Sequence, residues 1–541
     1  MKKRWNRLLS GLLAAGMLCS LLSGAALAVE TKATKFPEYY TQSGDPLQGT
    51  DNVALGLKMS DEEIEQKIEA LLHTMTLDEK YTYLGGNGTG TKYGNAGYLP
   101  GTPRLGVPET RMHDGPSGVL SLWPTTNTPD RQLAAATWDD ELLYAYGKVY
   151  GSENRAAGAN MQLGAQFDIT RTPEFDRAND QLGEDPYLLG RLAAQETKGM
   201  QDQGVIAVGK HYAAFAQSAS PAAKTDIDVS EQALHELYLP AFEAAVKEGG
   251  MLGLMSSYNS INGTFASAQE YLQLNVLREL WGYKGFTVTD WGGNDGFTLD
   301  KGTDIEMPSL SNNSKAQGDK KVAAGELTQE ELDKLVDEAV GHVLYALGKT
   351  GYLYLVETYQ ENGKLYAKAE PNRTEPIKLW GDSAEMAEAV QAENNEAVLE
   401  IARGGGVLLE NDGTLPIASG KSVAVLGTGG KYTLSGTGGE RSYGVGYEMT
   451  SPYESLKEIL GGGKVSLEPV FDNGGEAVPA ANLFVKDAKG DYTQGFTVKK
   501  NEEAAKTVTG KSIEYLPAES SFEGGTALNG SSEKPDTYTW T

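Results

Sequence analysis

Cysteine is almost absent from this chain, which has one such residue, Cys19, among 541. Any form of the protein that lacks Cys19 therefore has no disulfide, no thiolate nucleophile and no cysteine-ligated zinc or iron–sulfur site. Histidine is scarce as well, with five residues, so a metal site built from histidines is not expected. We predict neither a metal ion nor an organic cofactor.

Positive charge is also in short supply. The chain carries 47 Lys and Arg against 74 Asp and Glu, a formal net charge of -27. Binding to phosphates needs clustered Lys and Arg, so neither nucleic acid nor an anionic membrane is expected as the main partner. Neutral ligands such as sugars are compatible with this charge.

Long apolar runs are confined to the N-terminus. A basic stretch, Lys2 to Arg7, precedes the apolar run from Leu8 to Leu22 and then Ala26-Leu27-Ala28. This order is typical of a secretory signal peptide, so we predict that residues 1–28 are removed and that the protein is secreted or extracytoplasmic, with no membrane attachment afterwards. A lipoprotein processed at Cys19 and an uncleaved membrane anchor are the alternatives.

Helix signals alternate with short apolar strands from about residue 61 to residue 355. This alternation is the pattern of β/α units around a parallel sheet. We therefore predict an α/β fold in which residues 29–355 form a (β/α)8 TIM-like barrel. Three helix starts carry a hydroxyl cap followed three residues later by a carboxylate: Ser60 with Glu63, Thr76 with Glu79, and Thr328 with Glu331.

Three predicted strands of this region end in polar or ionisable residues. The strands are Val205–Val208, Met251–Met255 and Phe286–Thr289, and the residues after them are Lys210-His211, Ser256-Ser257-Tyr258-Asn259 and Asp290-Trp291. The carboxyl ends of barrel strands and the loops after them build the active site of such folds. Polar residues also end ordinary strands, but three instances together indicate one site.

Residues beyond the barrel are predicted to form three further segments. Residues 356–393 are a linker, residues 394–473 begin an α/β sandwich domain, and residues 474–541 form an incomplete β-rich module. The glycine-rich stretch after the strand Val423–Leu426 has Tyr432 where the third glycine of a dinucleotide fingerprint belongs, so nucleotide binding is not predicted. We expect the sequence to be an N-terminal fragment of a longer protein, with the apolar face of this strand uncovered.

Glycoside cleavage is the chemistry that these residues suit. It needs two carboxyl groups across the anomeric carbon, and Asp290, at the end of a strand and beside the flat face of Trp291, is the best candidate nucleophile. Charged groups bind sugar hydroxyls strongly, and four are available: Asp114, Arg177, Lys210 and His211. Taken alone, Asp114 more often marks a turn and Arg177 a surface ion pair.

Seven motifs in one order carry a resemblance to a known family. They are Met75–Lys80, Pro103–Pro108, Arg111–Gly118, Arg177 with Gly183–Tyr187, Lys210–Tyr212, Met255–Asn259 and Gly285–Trp291. In these motifs the chain resembles the family 3 glycoside hydrolases, a group of β-glucosidases, β-xylosidases and related exo-acting enzymes. The resemblance runs from about residue 64 to residue 460.

The resemblance implies a retaining exo-β-glycosidase, with a β-glucosidase favoured, that acts on an oligosaccharide or glycoside. Asp290 would attack the anomeric carbon, and Tyr258 would lie beside it. The residues that match those holding the nonreducing-end sugar are Asp114, Arg177, Lys210 and His211, and Trp291 matches the residue that flanks the next subsite. The subunit number is not predicted.

The chain departs from the family pattern at several points. Ala178-Asn179-Asp180 follows Arg177 where the family has Asn, an aromatic residue and Glu, and Ala213–Ala216 stands where an Asn pair is common. The loop of the N-acetylhexosaminidase branch is absent, so that activity is not predicted.

The acid/base Glu cannot be identified from the sequence. In relatives with this layout it comes from the sandwich domain, where this chain has Glu440, Glu448 and Glu454. Relatives often carry an inserted protective-antigen-type β-sandwich module, which the last segment resembles, and the acid/base Glu would then follow Thr541. A catalytically incompetent sugar-binding fragment, a β-xylosidase and a phosphorylase of the same family are the alternatives.

Overall fold

A computed structural model gives the fold. It describes residues 59–86, 96–120, 124–175, 177–215, 225–373, 383–427, 430, 445–446, 451–468, 484–486, 492–494, 496–500, 506–508 and 538–540. The predicted signal peptide lies outside these residues, as do Glu440 and Glu448. In the described part of the chain, no helix is both long enough and apolar enough to cross a membrane.

Eleven α-helices are described, together with short 3₁₀ and π-helical turns. The α-helices are α1 Asp61–Thr74, α2 Leu77–Tyr81, α3 Arg131–Ala135, α4 Asp140–Ala156, α5 Pro186–Asp202, α6 Glu231–Ala233, α7 Pro240–Lys247, α8 Lys315–Ala323, α9 Gln329–Lys349, α10 Ser383–Gly405 and α11 Pro452–Leu460. The π-helical segments are Leu234–Tyr238 and Tyr271–Leu280, and the 3₁₀ turns are Pro103–Leu105, Ala178–Asp180, Ala266–Ala268, Leu299–Lys301 and Gly462–Lys464.

The strands fall into one large sheet and several small ones. In chain order they are β1 Gly97–Leu99, β2 Thr110–His113, β3 Pro124–Thr125, β4 Met161–Gln162, β5 Ile206–Tyr212, β6 Asp226–Ile227, β7 Gly253–Ser256, β8 Ser260–Ile261, β9 Thr264–Phe265, β10 Phe286–Thr289, β11 Thr358–Glu361, β12 Lys364–Ala367, β13 Val423–Leu426, β14 Val445–Gly446, β15 Val465–Glu468, β16 Phe484–Lys486, β17 Tyr492–Gln494, β18 Phe496–Lys500, β19 Lys506–Val508 and β20 Tyr538–Trp540.

The large sheet has six strands in the order β1-β2-β4-β5-β7-β10. The pairs from β2 to β10 are parallel, and helices cover the sheet, so the predicted TIM-like α/β fold is confirmed. Isolated parallel bridges from Val288 to Ile305 and from Gly85 to Glu306 extend the curl beyond β10.

The first strand differs from an all-parallel (β/α)8 pattern. β1 pairs antiparallel with β2. Only a 3₁₀ turn, Pro103–Leu105, lies between them, and a parallel return needs a crossover of a dozen or more residues. The chain therefore folds straight back on itself at this edge of the described sheet.

The predicted helix caps are present. Thr76 and Thr328 form reciprocal capping boxes with Glu79 and Glu331, and Ser60 accepts a hydrogen bond from the backbone N–H of Glu63 at 3.2 Å. These caps begin α1, α2 and α9, whose apolar faces contribute to the cluster of buried side chains around the sheet.

Helices α4 and α5 cross at very short distance. A Cβ on Gly147 of α4 would overlap the backbone carbonyl oxygen of Glu196, and a Cβ on Gly199 of α5 would overlap that of Tyr144. The Glu196 side chain, fully buried, binds Arg131 of α3, with Arg131 Nη1 2.6 Å from Glu196 Oε2. The glycines are therefore required by the close approach of the two helices.

The segments after the barrel contain both helix and strand. The hairpin of β11 and β12 and the first part of α10 lie in the predicted linker, β13 and β15 pair in parallel, and β16 to β20 form antiparallel pairs. The domain boundaries stay predictions. Leu426, on the strand expected to have an uncovered apolar face, is 66% exposed.

Replacing Gly147 by Ala is expected to destabilise the fold, because the added Cβ would push α4 away from α5. The matched variant is Gly341→Ala in α9, where the nearest atom, Ile68 Cγ2, is 3.9 Å away. There Ala should stabilise by about 0.5–1 kcal/mol, because it is the better helix former. Urea unfolding of both variants measures the difference. Equal stability changes would contradict the close helix crossing.

Candidate active site

The predicted site residues meet at the carboxyl ends of the parallel strands. Asp114 follows β2, Lys210 and His211 end β5, and Tyr258 and Asp290 follow β7 and β10. Ion pairs and hydrogen bonds join six side chains into one connected network: Asp114, Arg177, Lys210, His211, Tyr258 and Asp290. The edge expected from the sequence pattern is therefore where these side chains lie.

Strand β5 is longer than predicted, and this matters for Lys210 and His211. The sequence placed both residues after a strand ending at Val208, whereas β5 runs on to Tyr212. Its pairing with β7 shifts register between Lys210 and Tyr212. Neighbouring residues of a regular strand point to opposite faces, and a bulge interrupts that alternation. Adjacent Lys210 and His211 thus both join the same network.

Asp290 is almost completely buried, with 7% of its surface exposed. Its Oδ1 accepts a hydrogen bond from the Trp291 backbone N–H at 2.7 Å, and its Oδ2 lies 3.6 Å from His211 Nε2. Burial raises the pKa of Asp290, while Lys210, the Trp291 N–H, Arg177 and a hydrogen bond from Tyr258 lower it. The effect of burial is larger than that of the two cations, Lys210 and Arg177, so the pKa of Asp290 is raised overall.

Lys210 is buried and bound to Asp114. Lys210 Nζ donates to Asp114 Oδ1 at 2.7 Å, and the Gly115 N–H donates to the same oxygen at 2.9 Å. Burial alone would raise the pKa of Asp114, yet Lys210, Gly115 and Arg177 together lower it. Asp114 is therefore an ionised acceptor beside a cationic donor.

Arg177 is held from several sides. Its Nε donates to Asp180 Oδ2 at 3.1 Å and its Nη2 to Gln166 Oε1 at 2.8 Å. Its guanidinium carbon lies 5.7 Å from the centre of the Phe215 ring, within the range of a cation–π contact. Asp180, in the stretch that departs from the family pattern, thus supports Arg177 from the 3₁₀ turn that follows it.

His211 lies between two carboxylates. Its Nδ1 is 2.9 Å from Asp168 Oδ2, and its Nε2 is 3.5 Å from Arg177 Nη1 as well as close to Asp290. Burial, Arg177 and Lys210 lower the pKa of His211 well below its usual value. The imidazole is therefore neutral near pH 7.

Asp168, Gln166 and Phe215 were not predicted as site residues. Asp168 and Gln166 lie just after β4, so the rule that polar residues follow the strands of the site could have found them. Phe215 gave no such signal. Its ring lies 4.6 Å from the His211 ring and 6.4 Å from the Tyr258 ring, and it forms an apolar wall of the site.

Trp291 is half-buried next to Asp290 and packs against the core. Across the sheet, a groove of about 590 Å³ between α1 and α9 includes Tyr283 and Lys284, which precede β10. The groove therefore lies at the opposite end of the strands from the polar network. The polar network, and not this groove, is the candidate active site. Among the described residues no group of three or more His, Cys, Asp or Glu side chains could hold a metal ion.

Of the three candidate acid/base residues, the structure describes Glu454, which does not join this network. Glu440 and Glu448 lie outside the described residues. Glu454 is on the first turn of α11, where its Oε2 is 3.0 Å from Lys457 Nζ and its side chain is 55% exposed. The described residues therefore supply a buried carboxylate with hydroxyl-binding groups around it, and no general acid is assigned.

The described domain is a TIM-like α/β domain with a buried polar network at the carboxyl ends of its strands. Enzymes with this fold have their active sites at that end. Residues 101–344 match the family described as "Glycosyl hydrolase family 3 N terminal domain". This segment is therefore a family 3 glycoside hydrolase N-terminal domain, and the resemblance carried by the seven motifs is confirmed.

Similar proteins include several β-glucosidases. The chain is 33% identical over 407 residues to β-glucosidase B of Emericella nidulans, covering 73% of this chain and 44% of that one. It is 31% identical over 438 residues to β-glucosidase BoGH3A of Bacteroides ovatus, covering 74% and 53%.

Solved structures give the same picture. DesR, a β-glucosidase from Streptomyces venezuelae in complex with D-glucose, superposes with a TM-score of 0.65 at 26% identity, over 84% of this chain and 61% of that one. β-Glucosidase 3B from Thermotoga neapolitana gives 0.59 at 30% identity, over 73% and 54%. The chain thus spans about half the length of the curated relatives it matches.

Proposed function

We propose that this chain carries the nucleophile and the sugar-binding subsite of a retaining exo-β-glycosidase, with β-glucosides as substrates. The observation that carries the proposal is the position of Asp290, buried at the end of β10 within reach of His211 and the charges of Lys210 and Arg177. The similarity to β-glucosidases supports the choice of sugar.

The reaction proceeds in two steps. An Asp290 carboxylate oxygen attacks the anomeric carbon, the bond from that carbon to the leaving oxygen breaks with its electron pair on the oxygen, and a general acid protonates that oxygen. Water then attacks the anomeric carbon of the glycosyl-enzyme, gives a proton to the conjugate base of that general acid, and releases the Asp290 carboxylate. Asp290 is buried, so its carboxylate is poorly solvated, and Lys210, the Trp291 N–H and Arg177 favour the ionised form that attacks.

The charged network binds the terminal sugar in this mechanism. Lys210 and Arg177 donate to hydroxyl oxygens, and Asp114 accepts from a hydroxyl. A charged partner strengthens each of these hydrogen bonds. Trp291, half-buried beside the nucleophile, stacks on the neighbouring sugar or aglycone. The Lys210–Asp114 ion pair fixes a donor and an acceptor side by side, which suits two adjacent hydroxyls of a pyranose.

A second candidate function is sugar binding without efficient hydrolysis. Glu454, the one candidate acid/base residue among those described, is exposed and paired with Lys457. The proton donor is therefore unassigned, which favours this second candidate. General acid assistance contributes about 10²- to 10⁴-fold. A glucoside with a highly activated leaving group needs little protonation, so it tests Asp290 independently of the acid.

Incubation with a 2-fluoro-glucoside that carries such a leaving group is expected to add one glycosyl unit to the chain, on the peptide that contains Asp290. Intact mass and peptide mapping measure the adduct. Asp290→Ala should give none, because the attacking carboxylate is gone. The matched control is Asp295→Ala on the same loop, an exposed residue, which should label like the wild type. Binding of the sugar without an adduct would favour the second candidate, and an adduct on another peptide would exclude Asp290.

The rate of this labelling is expected to fall as the pH drops through the raised pKa of Asp290, because only the carboxylate attacks. The acid limb should thus lie above the usual Asp pKa of about 3.9. Lys210→Met removes a cation that lowers this pKa, so the limb should move up by about one pH unit or more. Lys247→Met, in an exposed pair with Glu243, is the control. A limb that stays or moves down contradicts the assignment.

We also propose that the protein is exported and processed after Ala28. The basic and apolar runs before Ala26-Leu27-Ala28 support this. Expression of the whole chain in a bacterial host is expected to give a protein outside the cytoplasm whose N-terminal residue is Val29, as read by mass spectrometry. Ala28→Leu should block cleavage, because the residue before the cut must be small. A wild-type product that keeps residues 1–28 would overturn the proposal.

A further inference from the structure

Asp168 is a buried carboxylate to which the mechanism above gives no role. It is 2% exposed and lies just beyond β4. Its Oδ2 accepts a hydrogen bond from the His211 backbone N–H at 3.0 Å and lies 2.9 Å from Nδ1 of the His211 ring. Burying a carboxylate is costly unless it is hydrogen-bonded, so this pair of contacts is the main compensation for placing Asp168 here.

The protonation state of Asp168 determines which ring nitrogen of His211 carries the proton. An ionised Asp168 only accepts hydrogen bonds, so Nδ1 is then the N–H that donates to it. A proton on Asp168 Oδ2 would instead donate to Nδ1 and place the ring proton on Nε2. Burial raises the pKa of Asp168, while the His211 backbone N–H and the charges of Arg177 and Lys210 act against it. Oδ1 has no hydrogen-bond partner among the described residues, so an ionised Asp168 beside an Nδ1–H imidazole receives both of its N–H donors at Oδ2.

The other ring nitrogen lies beside Arg177 and the proposed nucleophile. His211 Nε2 lies 3.5 Å from Arg177 Nη1 and 3.6 Å from Asp290 Oδ2. The charged groups around the ring are Arg177, Lys210, Asp168 and Asp290, and the two cations disfavour a second proton on it. An unprotonated Nε2 has a lone pair and can only accept. It cannot donate to Asp290.

We propose that Asp168 is a positioning residue that holds His211 as the Nδ1–H tautomer, so that Nε2 accepts a hydrogen bond from a substrate hydroxyl. The part concerning the substrate rests on the proposed function, whereas the tautomer does not. His211 then accepts a hydrogen bond from one substrate hydroxyl, whereas its neighbour Lys210 donates to another, because an ammonium group only donates. Asp168 thereby makes the site select a sugar that has a hydrogen-bond donor at the position facing His211.

The chain contains a matched control for the removal of Asp168. Asp304 is also buried and also binds a histidine, with His342 Nδ1 2.8 Å from Asp304 Oδ1. His342 is on α9 and lines the groove at the opposite end of the strands. Asp304 Oδ2 also accepts hydrogen bonds from Arg278 and from the Thr287 backbone N–H of β10, whereas His342 contacts Oδ1. Asp304→Asn, which keeps one carbonyl oxygen for these donors, thus reports what losing a buried Asp–His contact does away from the site residues.

The first experiment is ¹⁵N NMR of the whole chain with labelled histidine, which is practical because the sequence has only five. Loss of one signal set in His211→Gln assigns His211. We expect a protonated Nδ1 and an unprotonated Nε2 at pH 7, because the pKa of His211 is lowered by burial, Arg177 and Lys210. Asp168→Asn should change the His211 signals and Asp304→Asn only those of His342. A protonated Nε2 in the wild type would overturn the proposal, whether or not the protein hydrolyses glucosides.

The second experiment compares activated aryl glucosides in which one hydroxyl at a time is replaced by hydrogen or by fluorine, which accepts weakly and cannot donate. At the hydroxyl facing His211, both replacements should lower kcat/KM by about 5- to 150-fold, because leaving a buried acceptor unpaired costs about 1–3 kcal/mol. At a hydroxyl facing Lys210, fluorine should cost less than hydrogen. Asp168→Asn should lower kcat/KM for the parent glucoside and reduce the difference between that glucoside and its two analogues at the hydroxyl facing His211. Asp304→Asn should leave this difference unchanged.

The two experiments fail separately. No turnover of any glucoside, with the Nδ1–H tautomer observed, would contradict the proposed function and leave the positioning role of Asp168 standing. The enzyme could instead turn over glucosides and show no position at which the hydrogen and fluorine analogues are equally poor substrates. That outcome would contradict the acceptor role of Nε2 and leave the proposed function standing. Thermal unfolding of both Asn variants shows whether a lost response comes from a lost fold.

Discussion

The balance of charge in a site removed from water is the constraint on which this structure depends. The carboxylates Asp114, Asp168, Asp180 and Asp290 lie with Lys210 and Arg177 at one end of the sheet. Burial raises the pKa of three of these acids and would raise that of Asp114, were it not for the cations. Each acid therefore needs a donor, and each donor fixes its partner. The same contacts that compensate for burial also set the geometry of the site.

The backbone arranges this balance in ways that a regular barrel strand would not. The register shift in β5 brings Lys210 and His211, adjacent in the chain, to the same network. The 3₁₀ turn after Arg177 returns Asp180 to the guanidinium group within three residues. The protein thus uses irregular backbone where these functional side chains converge.

The region after the barrel is tied to the loop that follows Asp114. On α10, Asn394 Nδ2 donates to Glu153 Oε1 at 2.8 Å, and Thr126 Oγ1 donates to the same oxygen at 2.6 Å. The backbone of β3 in this loop also pairs with β14. Helix α10, the barrel helix α4 and the loop therefore share a buried hydrogen-bonded junction. Residues that follow the barrel in the chain thus contact and support the loop after Asp114.

The sequence alone was enough to predict the α/β fold, the family resemblance and the convergence of Asp114, Arg177, Lys210, His211, Tyr258 and Asp290, because the order of elements and the residues at strand ends are local properties. It did not reveal the antiparallel first strand, the bulge in β5, or Asp168. Each of these depends on which segments meet in space: a hydrogen bond between residues 168 and 211, or a shift in pairing between two strands, leaves no periodic signal in the chain. Tertiary packing alone decided that burial, and not the nearby cations, dominates the pKa of Asp290.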